Sequence, residues 1–158
     1  MAHAKEERTL IILKPDAVHR GLMGEVITRF ERKGLKVIGM KMLQLEDALI
    51  EAHYAHIKDK PFFAGIKNFM KTAPVAVMVL SGIGAVAATR LIVGPTRGYE
   101  APAGTIRGDL SLSTQSNLVH ASESVDAARE EVARFFTEDE LFDYTRNDFG
   151  FINAEEVY

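Results

Sequence analysis

The chain lacks cysteine, long apolar runs and an excess of positive charge. None of its 158 residues is cysteine, which excludes disulfides, thiolate metal sites and cysteine nucleophiles. Its longest nearly unbroken apolar run, Ala73 to Leu80, is far shorter than the roughly 18 residues that a membrane-spanning helix needs. The net charge of -3 gives no general positive field for nucleic acid. We therefore expect a soluble, cytoplasmic protein without a membrane or nucleic-acid partner, in which any anion site is local.

The apolar residues, 47% of the chain, suffice for one core, and their spacing predicts four strands. A proline, Pro15, ends the first strand because it cannot donate to a sheet ladder. The second strand alternates and is expected to bury Ile38, Met40 and Met42. The third is apolar throughout and should be central. The predicted strands are Thr9–Leu13, Leu35–Leu45, Pro74–Leu80 and Asn117–Ala121.

Helical spacing separates these strands. Gly34 is suited to cap the first helix at its C-terminus, and Thr137 to Glu140 resembles a capping box that opens a short helix. Residues 94–116 show no regular pattern, and a loop of that length is usually functional or mobile. The order β-α-β-β-α-β predicts an α/β protein, an α+β sandwich with a ferredoxin-like four-stranded antiparallel sheet, in a single domain 1–158. The predicted helices are Gly24–Lys33, Glu46–Ile57, Phe62–Met70, Gly84–Val93 and Val125–Phe136.

One histidine, His120, lies at the end of the fourth strand, shortly before the helix that begins at Val125. An unperturbed imidazole has a pKa of about 6.5, so that most such rings are neutral at pH 7 and carry a lone pair for nucleophilic attack. A lone histidine beside a strand, however, more often packs or caps than reacts. Whether His120 is catalytic depends on the rest of the chain.

Six motifs follow one another between about residues 8 and 145. They are Thr9-Leu-Ile-Ile-Leu-Lys14-Pro-Asp16, Arg20-Gly21, His53-Tyr54, Lys60-Pro61-Phe62-Phe63, Gly104-Thr-Ile-Arg107-Gly-Asp109 and Asn117-Leu-Val-His120-Ala-Ser122. In order and spacing they resemble the motifs of the nucleoside diphosphate kinases. The resemblance implies an enzyme, a nucleoside-diphosphate kinase. The implied enzyme moves the γ-phosphate of a nucleoside triphosphate such as ATP to a nucleoside diphosphate, in a ping-pong reaction through a phosphohistidine on His120.

The resemblance implies a catalytic set around this histidine. Phosphoryl transfer needs mainly positioning and compensation for charge on the transferred oxygens. Ser122 and Glu131 match the positions that hold and orient the imidazole. Glu131 lies two turns into a helix and reaches back only if that helix packs against the fourth strand; a surface glutamate is the competing interpretation. The implied catalytic residues are His120, Lys14, Tyr54, Ser122 and Glu131.

The resemblance also implies a nucleotide-binding set. Arginine offers a planar fork to phosphate and lysine a compact charge, while stacking on an aromatic ring such as Phe62 tolerates any base. The competing interpretations are core packing for Tyr54 and Phe62, and turn formation for Thr96 and Asn117. The implied nucleotide-binding residues are Lys14, Phe62, Arg90, Thr96, Arg107 and Asn117.

The expected cofactor is Mg²⁺, held mainly by the nucleotide phosphates without a protein metal ligand. Asp16 and Asp109 are better explained as turn caps or partners of a nearby arginine. Members of the family form tetramers or hexamers, and the tail Tyr144 to Tyr158 is long enough to reach a neighbouring subunit. We therefore predict a homo-oligomer, a hexamer rather than a tetramer.

The chain departs from the family pattern at three places. Glu123 stands where an aspartate is usual, and Thr114 where an apolar residue usually opposes the base. The loop Arg97 to Ala103 has neither the Asn-Pro that commonly follows the threonine nor a proline directly before Gly104. In the family this loop often carries subunit contacts. These departures therefore bear most directly on the conformation of the loop and on the predicted assembly.

Two other functions are compatible with parts of the sequence. Gly82 to Ala87 matches the G-x-G-x-x-A fingerprint of dinucleotide-binding proteins after an apolar strand, although that strand is not the first of the chain. A tight turn against a helix explains it better. The second alternative is a non-catalytic member of the family that binds nucleotides or proteins, against which the intact His120, Lys14 and Arg107 argue.

Overall fold

A four-stranded antiparallel sheet forms the centre of the computed structural model, which describes residues 4–156. The strands lie in the order β2-β3-β1-β4, so that β1 and β3 are central and β2 and β4 are edges. The predicted fold class is confirmed. The strands are β1 Glu6–Leu13, β2 Lys36–Leu43, β3 Val75–Ile83 and β4 Val119–Ala121.

Helices cover both faces of this sheet. None of the helices within residues 4–156 is long and apolar enough to cross a bilayer. Short 3₁₀ turns lie at Ala55–Ile57, Gly98–Glu100, Glu138–Glu140 and Ala154–Glu156. The α-helices are α1 Pro15–His19, α2 Met23–Lys33, α3 Asp47–His53, α4 Phe63–Met70, α5 Ala85–Val93, α6 Ile106–Leu110, α7 Val125–Phe135 and α8 Phe149–Ile152.

The sequence did not predict α1, α6 and α8, because a helix of four or five residues is too short to show a period. Pro15 ends β1 and also occupies the first turn of α1, where its missing N–H costs nothing. Thr105 caps α6, its hydroxyl accepting a hydrogen bond from the Gly108 amide at 2.9 Å. Residues 94–116 are therefore a compact segment with its own helix.

The two central strands bury side chains on both faces, which explains why their sequences are almost continuously apolar. Helices α1, α2, α5 and α6 cover one face, and α3, α4 and α7 cover the other. Toward the first group point Ile11, Leu13, Ala76, Met78 and Leu80. Toward the second point Leu10, Ile12, Val75, Val77 and Val79.

In β2, the predicted burial of the even-numbered side chains is wrong beyond Ile38. The pairing register with β3 shifts between Val37 and Gly39, and such a bulge exchanges the two faces of a strand. Ile38 is buried, but Met40 and Met42 are 50% and 54% exposed. An alternating pattern cannot reveal this, because the bulge changes the register without changing the spacing of apolar residues.

The C-terminal tail returns along its own subunit. The Phe142 amide donates to the Ile38 carbonyl at 2.8 Å, and the Tyr144 hydroxyl donates to the Val37 carbonyl at 2.6 Å. That this tail also reaches a neighbouring subunit stays a prediction, and residues 157–158 lie outside the described residues.

The G-x-G-x-x-A stretch comprises the end of β3, a turn at Gly84 and the start of α5. Strand β3 is antiparallel to both of its neighbours, whereas the dinucleotide fingerprint requires a parallel βαβ unit. Gly84 has a φ of +63° at the start of α5, a conformation that glycine adopts readily.

Candidate active site

The predicted site residues converge on one pocket of about 880 Å³ beside the edge strand β4. Ser122 lies beneath the pocket, fully buried, and reaches it through Glu131. The structure thus brings the whole predicted set together, while the role of each residue stays a prediction. The residues of the set that line the pocket are Lys14, Tyr54, Phe62, Arg90, Thr96, Arg107, Asn117, His120 and Glu131.

His120 is held through one ring nitrogen. It lies in β4 opposite Ile12 of β1, and its Nε2 is 3.0 Å from Oε2 of Glu131. A carboxylate can only accept, so the neutral ring carries its proton on Nε2 and its lone pair on Nδ1. Nδ1 is therefore the nitrogen of His120 that is available for nucleophilic attack.

The surroundings of Glu131 favour the charged form of its carboxylate. Burial opposes the charged carboxylate, but hydrogen bonds from His120 and Ser122 outweigh it and lower the pKa of Glu131. The Ser122 hydroxyl donates to Oε2 at 2.6 Å and accepts from the Leu10 amide at 3.1 Å. Helix α7 packs on the sheet, so the condition for Glu131 to reach His120 is met.

The backbone just before the histidine is strained. Leu118 has a φ of +71°, and the Val119 amide donates to the Asn117 carbonyl at 2.8 Å, which forms a γ-turn of the rare type. Such a conformation costs roughly 1–3 kcal/mol. Asp16 accepts a hydrogen bond from the Leu118 amide at 3.0 Å, in agreement with the predicted turn cap. No sequence signal predicts the strain, because leucine rarely adopts positive φ.

Arg107 clamps this turn and also lines the pocket. Its side chain is 9% exposed and donates to the carbonyls of Asn117, Gly94 and Val119 at 3.2, 3.1 and 2.6 Å. Three of the five guanidinium N–H groups are thereby used, and these bonds leave two N–H groups over. Burial and the nearby charge of Arg90 lower the pKa of Arg107 to about 10.

Lys14 is the second cation of the pocket. Burial, together with the charge of Arg107, lowers the pKa of Lys14 to about 8. Its Nζ donates to Oδ1 of Asn117 at 2.7 Å, and the amide nitrogen of Asn117 donates to the Thr96 carbonyl at 2.9 Å. Asn117 therefore fixes Lys14 to the loop after α5.

Several other residues of the pocket are open to solvent. Phe62 is 55% exposed, which excludes the core-packing interpretation for this ring. Thr114, Arg90 and Thr96 are exposed and also line the pocket. Tyr54 packs partly against the core, and its burial raises the pKa of its hydroxyl to about 12.

Sequence reasoning assigned no role to His53 or Arg134. The His53 ring is 7% exposed and lies edge-on to the His120 ring, with 4.6 Å between centroids. Nη1 of Arg134 is 3.2 Å from Nδ1 of His53. Burial, assisted by His120, lowers the pKa of His53 to about 3. Only the packing of α3 against α7 brings these residues together.

The loop that departs from the family pattern is well anchored. The amide of Gly98 donates to the Ser113 carbonyl at 3.1 Å, and a Cβ at Gly98 would lie 2.5 Å from the Ser111 carbonyl oxygen. Arg97 and Glu100 form an exposed ion pair at 3.2 Å. The loop thus keeps a defined conformation without the usual prolines.

Comparisons with known sequences agree with this geometry. A family model described as nucleoside diphosphate kinase matches residues 7–141. The nucleoside diphosphate kinase of Parabacteroides distasonis is 53% identical over 138 residues, which cover 87% of this chain and 90% of that protein. The human nucleoside diphosphate kinase A is 44% identical over 139 residues, covering 88% and 91%.

Solved structures show the same likeness. A halophilic nucleoside diphosphate kinase from Halobacterium salinarum, in complex with CDP, superposes with a TM-score of 0.91 at 42% identity, covering 93% of this chain and 98% of that one. The Borrelia burgdorferi enzyme, a transition-state mimic with vanadate and ADP, gives a TM-score of 0.88 at 33% identity, covering 94% and 97%. The predicted resemblance is confirmed, and the chain belongs to the nucleoside diphosphate kinase family.

Proposed function

We propose that this protein transfers the γ-phosphate of a nucleoside triphosphate to a nucleoside diphosphate, with His120 as the phosphate carrier. One observation carries the proposal: Glu131 engages Nε2 of His120, which leaves the Nδ1 lone pair in a pocket that Lys14 and Arg107 make positive. The CDP and ADP complexes of the two similar enzymes support this choice of ligand.

In the first half-reaction, Nδ1 of His120 attacks the γ-phosphorus. A phosphorus–nitrogen bond forms, the bond to the bridging β–γ oxygen breaks, and the nucleoside diphosphate leaves with that oxygen. The imidazole becomes positively charged, and the ionised Glu131 stabilises it through Nε2. In the second half-reaction, a terminal oxygen of another nucleoside diphosphate attacks the same phosphorus and the phosphorus–nitrogen bond breaks.

Lys14, Arg90 and Arg107 compensate charge on the transferred oxygens. Mg²⁺ fits this pocket as an ion carried by the nucleotide, because the side chains around the phosphate position are cationic and phosphate oxygens are suitable Mg²⁺ ligands. When bound, it would neutralise phosphate charge. Lys14 stays cationic at neutral pH. A bound anion stabilises its charged form further and so offsets the desolvation that lowers its pKa.

The base is held by stacking on Phe62, and Thr114, which lines the same pocket, opposes the base. We propose that Asn117 contacts the sugar, since its amide keeps one N–H and one lone pair beyond its bonds to Lys14 and Thr96. Stacking accepts every base, so we expect a broad nucleoside range.

We further propose that residues 1–158 form one nucleoside diphosphate kinase domain that acts as a homo-oligomer, a hexamer rather than a tetramer, in the cytoplasm. The absence of cysteine suits a reducing compartment. The exposed Met40 and Met42 on the edge strand β2 support assembly, because an apolar edge strand invites pairing. Light scattering should give six times the 17.5 kDa subunit mass, and Met40→Lys with Met42→Lys should lower it. A mass near one subunit contradicts the assembly.

The test of function is incubation with γ-labelled ATP and Mg²⁺, followed by unlabelled GDP. We expect an acid-labile, base-stable label on the protein that then moves to GDP. A protein that binds ATP but takes no label is the non-catalytic member considered above. Label that stays on the protein after GDP is added would contradict transfer.

A further inference from the structure

A cluster of metal-binding side chains lies within the same pocket. One donor atom from each of His53, His120 and Glu131 is within 4.8 Å of the other two. Two imidazole nitrogens and one carboxylate oxygen are a donor set typical of Zn²⁺. They are a poor set for Mg²⁺, which prefers oxygen ligands. The cluster is therefore distinct in chemistry from the metal that accompanies the nucleotide.

We propose that His53, His120 and Glu131 bind Zn²⁺ in the nucleotide-free protein and that the bound ion prevents phosphorylation of His120. The inhibition rests on the proposed function, whereas binding of the ion does not. The fourth position of the ion would be left to water, since the pocket is open on the nucleotide side.

His53 supplies the observation that points to a ligand. Its ring is 7% exposed, and its Nε2 is buried without a hydrogen-bond partner among the described residues. Buried polar atoms are normally paired, so one that is unpaired needs an explanation such as an ion. Nδ1 of the same ring is already engaged by Arg134. The structure thus leaves one ring nitrogen of His53 without a structural use.

The distances require only a small rearrangement. Nε2 of His120 and Oε2 of Glu131 are 3.0 Å apart, and both belong to side chains that the sheet and α7 already fix. Because Zn²⁺ binds nitrogen at about 2.0–2.1 Å, ligand atoms in a tetrahedral site lie roughly 3.3 Å apart. The donor atom of His53 therefore has to move inward by at most about 1.5 Å, which side-chain rotation can supply.

Zinc at Nε2 changes the chemistry of His120. A neutral imidazole carries one proton, and in the metal-free protein this proton is on Nε2, where Glu131 accepts it. When Zn²⁺ occupies Nε2, the proton moves to Nδ1 and no proton is lost from the ring. Nδ1 then has no lone pair, so the bond to phosphorus cannot form. The ion inhibits by fixing the wrong tautomer.

Arg134 opposes the ion. It donates to Nδ1 of His53 at 3.2 Å, which keeps the ring proton on Nε2. If Zn²⁺ binds Nε2 of His53, the proton moves to Nδ1, which can no longer accept from Arg134. If Zn²⁺ binds Nδ1, it replaces Arg134 directly. Either way the contact breaks, and the positive charge of Arg134 adds to that of Lys14 and Arg107 against a dication.

Binding is measured by titrating ZnCl₂ into tag-free, nucleotide-free protein against a chromophoric chelator. We expect one Zn²⁺ per subunit. His53→Phe keeps an aromatic ring beside the His120 ring and should weaken binding at least about tenfold, because a ligand is lost. Arg134→Met should tighten it about tenfold. The matched control is His56→Phe, an exposed pocket residue, which should bind as the wild type does.

Inhibition is measured on the same proteins. Zinc-loaded protein is given limiting ATP and Mg²⁺, and a zinc-selective chelator is added later. We expect no label before the chelator and normal labelling after it. Equal zinc binding by wild type and His53→Phe overturns the site, and normal labelling of the zinc-loaded protein overturns the inhibition.

The two proposals fail separately. A protein that binds Zn²⁺ as expected but takes no label even without Zn²⁺ refutes the proposed function and leaves the site standing. A protein that takes label but binds no Zn²⁺ refutes the site alone. If His53→Phe does not fold by circular dichroism, Glu131→Gln replaces it in the binding titration, with the same expected loss.

Discussion

The two walls of the pocket differ in how firmly they are held. On the catalytic wall, formed by His120, Glu131, Asn117 and Arg107, every side chain is at least partly buried and hydrogen-bonded to another part of the protein. The nucleotide wall, formed by Phe62 and Thr114, consists of exposed side chains. Groups that must meet developing charge are fixed in advance, whereas groups that meet a variable base are not.

This difference also appears in the backbone. The catalytic wall includes the strained Leu118, which Asp16 and Arg107 hold in place. Strain of this kind persists only where several independent contacts fix the same backbone conformation. We therefore expect large losses of kcat from changes to the catalytic wall and modest increases of KM from changes to the nucleotide wall.

The largest effect is expected for His120→Ala. Without the nucleophile, the phosphoenzyme should not form and turnover should fall by at least about 10⁴-fold. Labelling with γ-labelled ATP measures this directly. His56→Ala, which removes an exposed histidine of the same pocket, is the control and should label normally. Label that persists on His120→Ala would remove this residue from its assigned role.

Next comes Glu131→Gln. The amide can hold the ring in the wrong tautomer and carries no charge, so kcat should fall by about 10²-fold or more while KM changes little. Glu130→Gln alters an exposed neighbour on the same helix and should leave kcat unchanged. Steady-state kinetics on both variants check this. Equal values for the two variants would mean that the contact with His120 has no catalytic role.

A stability effect is expected at His53, whose folded pKa of about 3 lies below its unfolded value. As the pH falls, the unfolded chain therefore protonates His53 at a higher pH than the folded chain does. The stabilisation is complete above about pH 6.5 and declines as pH falls toward 3. His53→Phe lacks this dependence, so between pH 7 and pH 5 wild type should lose about 2 kcal/mol more than the variant. Denaturant unfolding across pH measures the difference. The same pH dependence of the free energy of unfolding in wild type and variant would contradict a buried neutral His53.

A smaller effect is expected from the pH dependence of Lys14, whose pKa is about 8. Loss of its proton removes a cation that binds phosphate, so kcat/KM should fall about tenfold per pH unit above that value. In Lys14→Arg this alkaline limb should move upward, because arginine stays charged. A profile of kcat/KM from pH 6 to pH 10 gives the comparison. An unchanged limb in the variant would assign it to another group.

The smallest effect is expected for Phe62→Ala on the nucleotide wall. Because the ring is 55% exposed, stacking should contribute near the lower end of its usual range, about 1 kcal/mol or roughly fivefold in KM. The value of kcat should change by less than about twofold, since no reacting atom touches the ring. Steady-state kinetics with ADP, GDP and CDP as acceptors measure both quantities. A loss in kcat that exceeds the loss in KM would contradict the division between the walls.

Local patterns predicted much of the fold. Gly34 ends α2 with a φ of +102°, and Thr137 with Glu140 forms the expected capping box. The bulge after Val37 escaped prediction because tertiary pairing sets the register. At the site, motif residues were identified one by one, but the His53–Arg134 contact was not, because it depends on how α3 packs against α7.

The most direct test of the account is to locate the phosphate on the protein. ¹⁵N-labelled protein is phosphorylated with ATP and Mg²⁺, and ¹H–¹⁵N and ³¹P spectra identify the substituted nitrogen. The account predicts phosphate on Nδ1 of His120, with the proton of Nε2 still held by Glu131. Phosphate on Nε2 of His120, or on any other residue, would contradict it.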